Sequence, residues 1–404
     1  MYITPSWIDF EQSILFYRKN ESEESPVINK DRVIAQFLEL VQIDSETKHE
    51  RQIADMLKAK FTELGLEVVE DDSASRTGHA AGNLIATLKA SGETGSSAAP
   101  FLFTCHMDTV APGNGIKPIV GEDGWIRSDG TTILGSDDKA GVAALLEVIQ
   151  VLRENNLPHG QIQFVITVGE ESALTGSRAM DAGQLDAKYG FAIDSNGEVG
   201  SICIGAPTRA QIDVEIYGKS AHAGVNPEDG ISAIQVAGKA IARMNLGRID
   251  ETTTANIGKF EGGGETNIVP DYVKLYAEAR STSLEKINKQ IESMKEAVEA
   301  VCREYGTKFE FSSDLAYPAF HFNDDDAVVV LAKKAAVQLG LSGSTFISGG
   351  GSDANVFNGF GIPTVNLAVG YENIHTTEER IKAADIVKVA EYAFEIVAQS
   401  LKVN

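Results

Sequence analysis

Apolar residues recur at helical spacing along residues 31–66, interrupted at 44–47, and from 65 to 70 the pattern changes to a strand-like run. Helix followed by strand is the rhythm of an α/β layer. Residues 101–105 read as a buried strand, 138–155 as an amphipathic helix, 161–168 as a strand and 191–193 as a short strand. That alternation predicts a mainly parallel sheet covered by helices. After Pro207 the rhythm changes. Residues 211–217 alternate, 231–244 are helical, 255–260 and 273–279 read as strands, 284–305 as a long helix and 308–311 as a last strand. The order β-α-β-β-α-β is that of a ferredoxin-like unit able to fold by itself. α/β character then returns, with a helix at 327–339, a strand at 364–369 and a terminal helix at 383–401. The expected architecture is an α/β domain split between residues 1–206 and 318–404, with an α+β domain of residues 207–317 inserted. Residues 90–100, rich in Gly, Ser and Ala, read as a surface loop.

A chain of 404 residues is too long for one compact core, which agrees with two domains. The net charge of -23 disfavours any surface that must neutralise a phosphate backbone, so nucleic acid is not expected as a partner. Cys105, Cys203 and Cys302 are odd in number and far apart, which fits neither a metal knot nor a disulfide framework and points to a reducing compartment. The first residues lack the pattern of a signal peptide, and no run of about 18 apolar residues suggests a membrane span. The expectation is a cytoplasmic protein with no membrane partner. The first 25 or so residues remain unassigned, as an extra helix or an arm.

The candidate chemistry sits just beyond the ends of the expected buried strands, the rim at which open α/β sheets bind ligands. FLFTC leads to His106 and Asp108, the strand ending at Val168 to Glu170 and Glu171, the strand 191–193 to Asp194, and the strand ending at Val369 to His375. Asp137 stands at the start of the helix 138–155. Two imidazoles and several carboxylates on one rim suit a pair of divalent metals such as zinc. Each residue also has a plain structural reading: His106 as a hydrogen-bonded residue, Asp137-Asp138 as a helix cap, Glu170-Glu171 as a solvated charge pair. The HxD spacing lets Asp108 accept from the second imidazole nitrogen and orient His106. One carboxylate can bridge two metals, and of Glu170 and Glu171 one can bind metal while the other moves the proton of the attacking water. Cys105 reads as strand packing, and His49, His79, His159 and His321 fall outside any paired arrangement.

The chain resembles the M20 metallopeptidase family, and within it the peptidase T, or tripeptide aminopeptidase, branch. The resemblance rests on TCHMDTVAPG (104–113), LGSDDKAG (134–141), GEESALTGSRAM (169–180), GKSAHAG (218–224), and GGGSDAN with the later His375. It implies a zinc-exopeptidase fold with an inserted ferredoxin-like lid, and a dinuclear zinc centre in which Co2+ or Mn2+ could substitute. His106, Asp137 and Asp194 would serve one metal, and Asp137, Glu171 and His375 the other, with Glu170 as general base and a cis peptide between Asp137 and Asp138. In the same way it implies that His222 stabilises the oxyanion. Asn267, Arg280 and Gly350 are expected substrate contacts; for Arg280 a structural salt bridge is the alternative. The implied substrate is a short peptide cleaved at its N-terminal residue, and a homodimer through the inserted domain is compatible with the resemblance. The same metal centre would also serve an N-acyl amino acid deacylase or a carboxypeptidase. A metal-free binding protein on the same fold is the reading from a different class.

Overall fold

The computed structural model describes residues 28–402; the N-terminal stretch left unassigned above lies outside them. The chain divides into two compact units, the first formed by residues 28–204, 322–347 and 352–402, the second by 205–321 with 348–351.

The first unit is built on a mixed sheet. Its longer strands are β1 (Glu67–Glu70), β2 (Leu84–Leu88), β3 (Phe101–His106), β4 (Ile162–Thr167), β5 (Gly190–Ser195), β6 (Ile202–Ala206) and β7 (Thr364–Ala368), in the spatial order β1-β2-β4-β3-β5-β7-β6. The four central strands, β4, β3, β5 and β7, are mutually parallel. Their C-terminal ends therefore share one rim. FLFTCH and IQFVIT are buried at every position, as strands covered on both faces must be. The helix Ser136–Glu154 lies against β3 and β5 and packs on the helices Lys30–Val41 and Ala383–Ser400, burying nearly all its residues. Glu147, fully buried in that helix, is held by the Arg32 guanidinium at 2.6 Å, so its charge is not left unpaired in the core.

β2 and β6 carry no reading in the pattern analysis, because a short apolar run with little alternation does not distinguish a buried strand from a helical segment. The Gly/Ser-rich stretch expected to be a loop contains a helix, Gly92–Ser97. Ser91 exchanges two main-chain hydrogen bonds with His159, and Gly95 packs so closely on the His159 carbonyl that an added Cβ would sit 2.1 Å from it. Small residues serve this close approach rather than flexibility.

The second unit is an antiparallel sheet in the order Gly247–Asp250, Thr253–Gly262, Tyr272–Ser281, Thr208–Tyr217, Lys308–Tyr317. The helices Ala233–Arg243 and Leu284–Tyr305 pack on it through Ala210, Ile212, Val214 and Ile216, alternate residues of one strand face. The strand Gly247–Asp250 is an addition to the expected β-α-β-β-α-β order. Its sequence GRID has neither alternation nor burial to announce it. No helix among the described residues is long and apolar enough to cross a membrane.

Candidate metal centre

The shared rim of the parallel strands gathers the polar residues. His106 is the last residue of β3, and Asp194 lies near the end of β5. Glu170 and Glu171 follow β4 after Gly169, whose φ of +59° turns the chain sharply. His375 sits in the loop beyond β7. Asp137 and Asp138 open the long helix with non-helical backbone angles, and the peptide between them is cis.

Asp137 is the centre of the arrangement. Its Oδ1 lies 3.0 Å from His106 Nε2 and its Oδ2 3.4 Å from His375 Nε2, so its two oxygens face two imidazoles. Glu171 Oε1 is 2.8 Å from His375 Nε2, and Asp194 Oδ1 is 3.7 Å from His106 Nε2. Two groups, His106-Asp137-Asp194 and Asp137-Glu171-His375, each bring donor atoms within 4.8 Å of one another and share Asp137; His106 with Glu170 and Glu171 forms a third.

The electrostatics suit cations. Burial, and then the charge of Asp137, pushes the Asp194 carboxyl well above the usual range; burial, and then Asp194, does the same to Glu170. Burial also raises Glu171. Asp137 goes the other way: the bonds from His106 and His375 outweigh its burial and hold it below the usual range. The bonds to Asp137 and Glu171 raise His375 to about 10. Burial opposes charge on His106, yet its contacts with Asp108 and Asp137 raise it well above its ordinary value. So many carboxylates held out of water favour added positive charge, and oxygen and imidazole donors of this kind suit divalent metal ions.

Asp108 orients His106 in a way that spacing did not anticipate. Nδ1 of His106 donates to the main-chain oxygen of Asp108 at 2.9 Å, while the carboxylate stands off at 3.5 Å. That carboxylate instead accepts from the Thr47 hydroxyl (2.7 Å) and from the N–H groups of Glu170 (3.0 Å) and Glu171 (3.3 Å). It pins the acidic turn. Asn366, on β7, accepts from the Asp194 N–H at 2.9 Å and donates to its carbonyl at 2.7 Å, and Tyr371 donates to Asp194 Oδ1 at 3.2 Å. His79, read as unpaired from sequence, is buried with Nδ1 2.6 Å from Glu50 Oε1. Cys105 is buried with its thiol pushed far up by burial, the state of a packing residue.

The remaining predicted residues belong to the second unit. His222 is exposed in a loop that bridges to Ile268, where Ala223 N–H donates to Asn267 O at 2.9 Å. Arg280 bonds Glu278 through Nε (2.9 Å) and Nη2 (3.2 Å), and its Nη1 reaches toward the Gly349 carbonyl beside Gly350 at 3.5 Å. The unit thus brings His222 to Asn267 and Arg280 to Gly350, as two separate pairs.

Residues 102–399 match the family model described as peptidase family M20/M25/M40. Among solved structures, the chain is similar to aminopeptidase PepT from Bacillus cereus ATCC 10987, at 55% identity and a TM-score of 0.84, covering 92% of this chain and 99% of that one. It is also similar to a tripeptidase from Staphylococcus aureus subsp. aureus Mu50, at 51% identity and a TM-score of 0.89, over 93% of this chain and 100% of that one. The protein YqjE of Bacillus subtilis (strain 168) is 54% identical over 376 residues, spanning 93% of this chain and all of its own.

Proposed function

Because the chain belongs to peptidase family M20/M25/M40, we propose that it is a two-zinc exopeptidase that removes the N-terminal residue of tripeptides. The observation that carries this reading is Asp137, whose two carboxylate oxygens face His106 and His375 in two donor groups that share it. Similarity to a PepT aminopeptidase and a tripeptidase at more than half identity supports the substrate class.

His106, Asp137 and Asp194 would hold one ion and Asp137, Glu171 and His375 the other. Bound there, the metals supply Lewis-acid polarisation of the scissile carbonyl and of the attacking water. Glu170 takes the proton from that water and returns it to the leaving amine; a carboxyl whose proton affinity is raised by burial and by Asp194 suits both halves of the transfer. Asp108 fixes where Glu170 points, through the hydrogen bond to its N–H. By the family resemblance, His222 would serve as the oxyanion donor and Asn267, Arg280 and Gly350 as peptide contacts. The three cysteines, all buried and none joined in a disulfide, accord with a reducing, cytoplasmic setting.

The test is hydrolysis of one tripeptide in unmodified, N-acetylated and C-amidated forms, by wild-type protein and by Glu170→Ala, with zinc content measured on both. The expected result is cleavage of the free and amidated peptides, rejection of the acetylated one, and loss of turnover in Glu170→Ala with metal retained. Preferred cleavage of the acetylated peptide would assign the site to a deacylase instead. Wild-type protein that takes up no zinc and cleaves no peptide would leave a binding protein on the same fold.

A further inference from the structure

Glu379 carries no role in the reading above, yet its surroundings are unusual for a residue in a Thr-Thr-Glu-Glu-Arg run that reads as a solvated surface. It is 1% exposed. Its Oε2 accepts from the main-chain N–H groups of Leu134 (2.8 Å) and Gly135 (2.9 Å). Its Oε1 accepts from the Ser136 hydroxyl (2.6 Å) and the Asp137 N–H (3.1 Å). Four donors converge on one carboxylate, all from the turn that delivers Asp137.

The other end of Glu379 is tied to His375. The Glu379 N–H donates to Thr376 O at 3.2 Å, and Glu372 and Arg380 exchange main-chain hydrogen bonds of 2.8 and 3.0 Å across the base of the loop. The Arg380 guanidinium reinforces that base with bonds to the Glu372 carboxylate of 2.9 and 2.6 Å. The loop that presents His375 is therefore a closed unit, and the Glu379 side chain is the part of it that grips the Asp137 turn.

We propose that Glu379 is a positioning residue that sets Asp137 and His375, two of the three side chains of one donor group, in register with each other. The proposal rests on the assignment of that group to a metal. Only a carboxylate fits the role. A glutamine of the same shape would turn its NH2 toward the Leu134 and Gly135 N–H groups and lose both bonds, or toward Ser136 and Asp137, where the hydroxyl can reverse to accept but the Asp137 N–H is left opposed by a second donor. The group His106-Asp137-Asp194 depends on Glu379 less, because His106 and Asp194 are fixed by strands of the central sheet and by Asp108, Asn366 and Tyr371.

Titration of chelator-treated full-length wild type, Glu379→Gln and Ser136→Ala with Zn2+ alone tests this, with circular dichroism as the check on folding. Wild type is expected to take up two equivalents. In Glu379→Gln one equivalent should weaken about tenfold or more, the size found when an outer hydrogen-bond partner of a metal ligand is removed, while the other changes less than about threefold. Ser136→Ala, which deletes one donor of four, should weaken the same single equivalent by a smaller factor, and it carries the test if Glu379→Gln fails to fold. A merely structural role would weaken both equivalents alike or neither. Either of those results overturns the proposal. Wild-type protein that takes up no zinc overturns the metal assignment itself, and the proposal with it.

Discussion

Gly169 is the point where packing behind the centre and chemistry in front of it meet. It has a φ of +59°, and a Cβ added there would lie 2.2 Å from Cε1 and 2.7 Å from Nε2 of His79. Carbon atoms in van der Waals contact stand roughly 3.5–4.0 Å apart, so the ring or the turn must move by more than an ångström. The ring has little room, being buried with Nδ1 2.6 Å from Glu50 Oε1. For Gly169→Ala the left-handed backbone costs about 1–2 kcal/mol and the overpacking about 1–3, giving about 2–5 kcal/mol in all. Because Glu170 and Glu171 follow directly, the displacement should also lower kcat by about tenfold or more. Urea denaturation of Gly169→Ala, His79→Ala and the double variant separates the two costs. In the His79→Ala background the added methyl has space, so Gly169→Ala should then cost only the backbone part, a coupling of about 1–3 kcal/mol. Equal costs in both backgrounds would refute the argument that the His79 ring sets the position of this turn.

Removal of metal should lower thermal stability, because Glu170, Glu171 and Asp194 are then left buried with raised proton affinity and no cation nearby. Zinc at about a thousandfold over its dissociation constant should restore about 4 kcal/mol per site, and a melting temperature indifferent to chelator and to zinc would contradict this. A second expectation concerns acid stability. Glu70 is held below its usual range by the Arg51 guanidinium, whose Nη1 lies 2.7 Å from its Oε1. A carboxyl lowered in the folded state contributes stability that is fully present above its unfolded value of about 4.3 and is lost as pH falls through the folded value. Arg51→Met should therefore cost up to about 1 kcal/mol at neutral pH, since the pair is partly exposed, and nothing at the acid end. A difference that widened on acidification would have the wrong sign.

What the chain discloses about its centre depends on distance along the sequence. His106 is legible as the polar last residue of a strand buried at every position, and the Glu170-Glu171 pair as acids just beyond the end of another, so that each interrupts an apolar pattern. The residues that hold them are not. Glu50 and His79 are 29 positions apart with no shared pattern, and Glu379 is 242 positions from the Asp137 N–H it accepts. Glu379 lies within a run of charge, which on local pattern looks like surface. The partnership of Asn366 with Asp194 likewise needs β5 and β7 to be neighbours, a fact of sheet order rather than of sequence. Asp108 is only two residues from His106, but spacing alone does not tell side chain from main chain as the acceptor, and the His106 bond ends on the main-chain oxygen.

Hydrogen-bond partners also distinguish among the many acids at the rim. Asp108, Asp138, Asp353 and Glu379 are all buried, and each accepts from fixed donors: Asp108 from Thr47, Glu170 and Glu171, Asp138 from the N–H groups of His106 and Gly141, Asp353 from the hydroxyls of Thr167 and Ser177, and Glu379 from the turn 134–137. Every oxygen of these four carboxylates already accepts from the protein, so they are less available to a metal and shape the site instead. Asp137, Glu171 and Asp194 instead direct their side-chain oxygens at the imidazoles of His106 and His375, which belong to the same candidate donor groups, or at the Tyr371 hydroxyl. No hydrogen bond from a described residue ends on the Glu170 carboxylate. A carboxylate that binds metal needs lone pairs left over from the scaffold, and one that moves a proton needs an oxygen free to take it. Sorting the acids by what already occupies their oxygens thus sets those engaged by the scaffold apart from Asp137, Glu171 and Asp194, the candidate ligands, and Glu170, the proposed base.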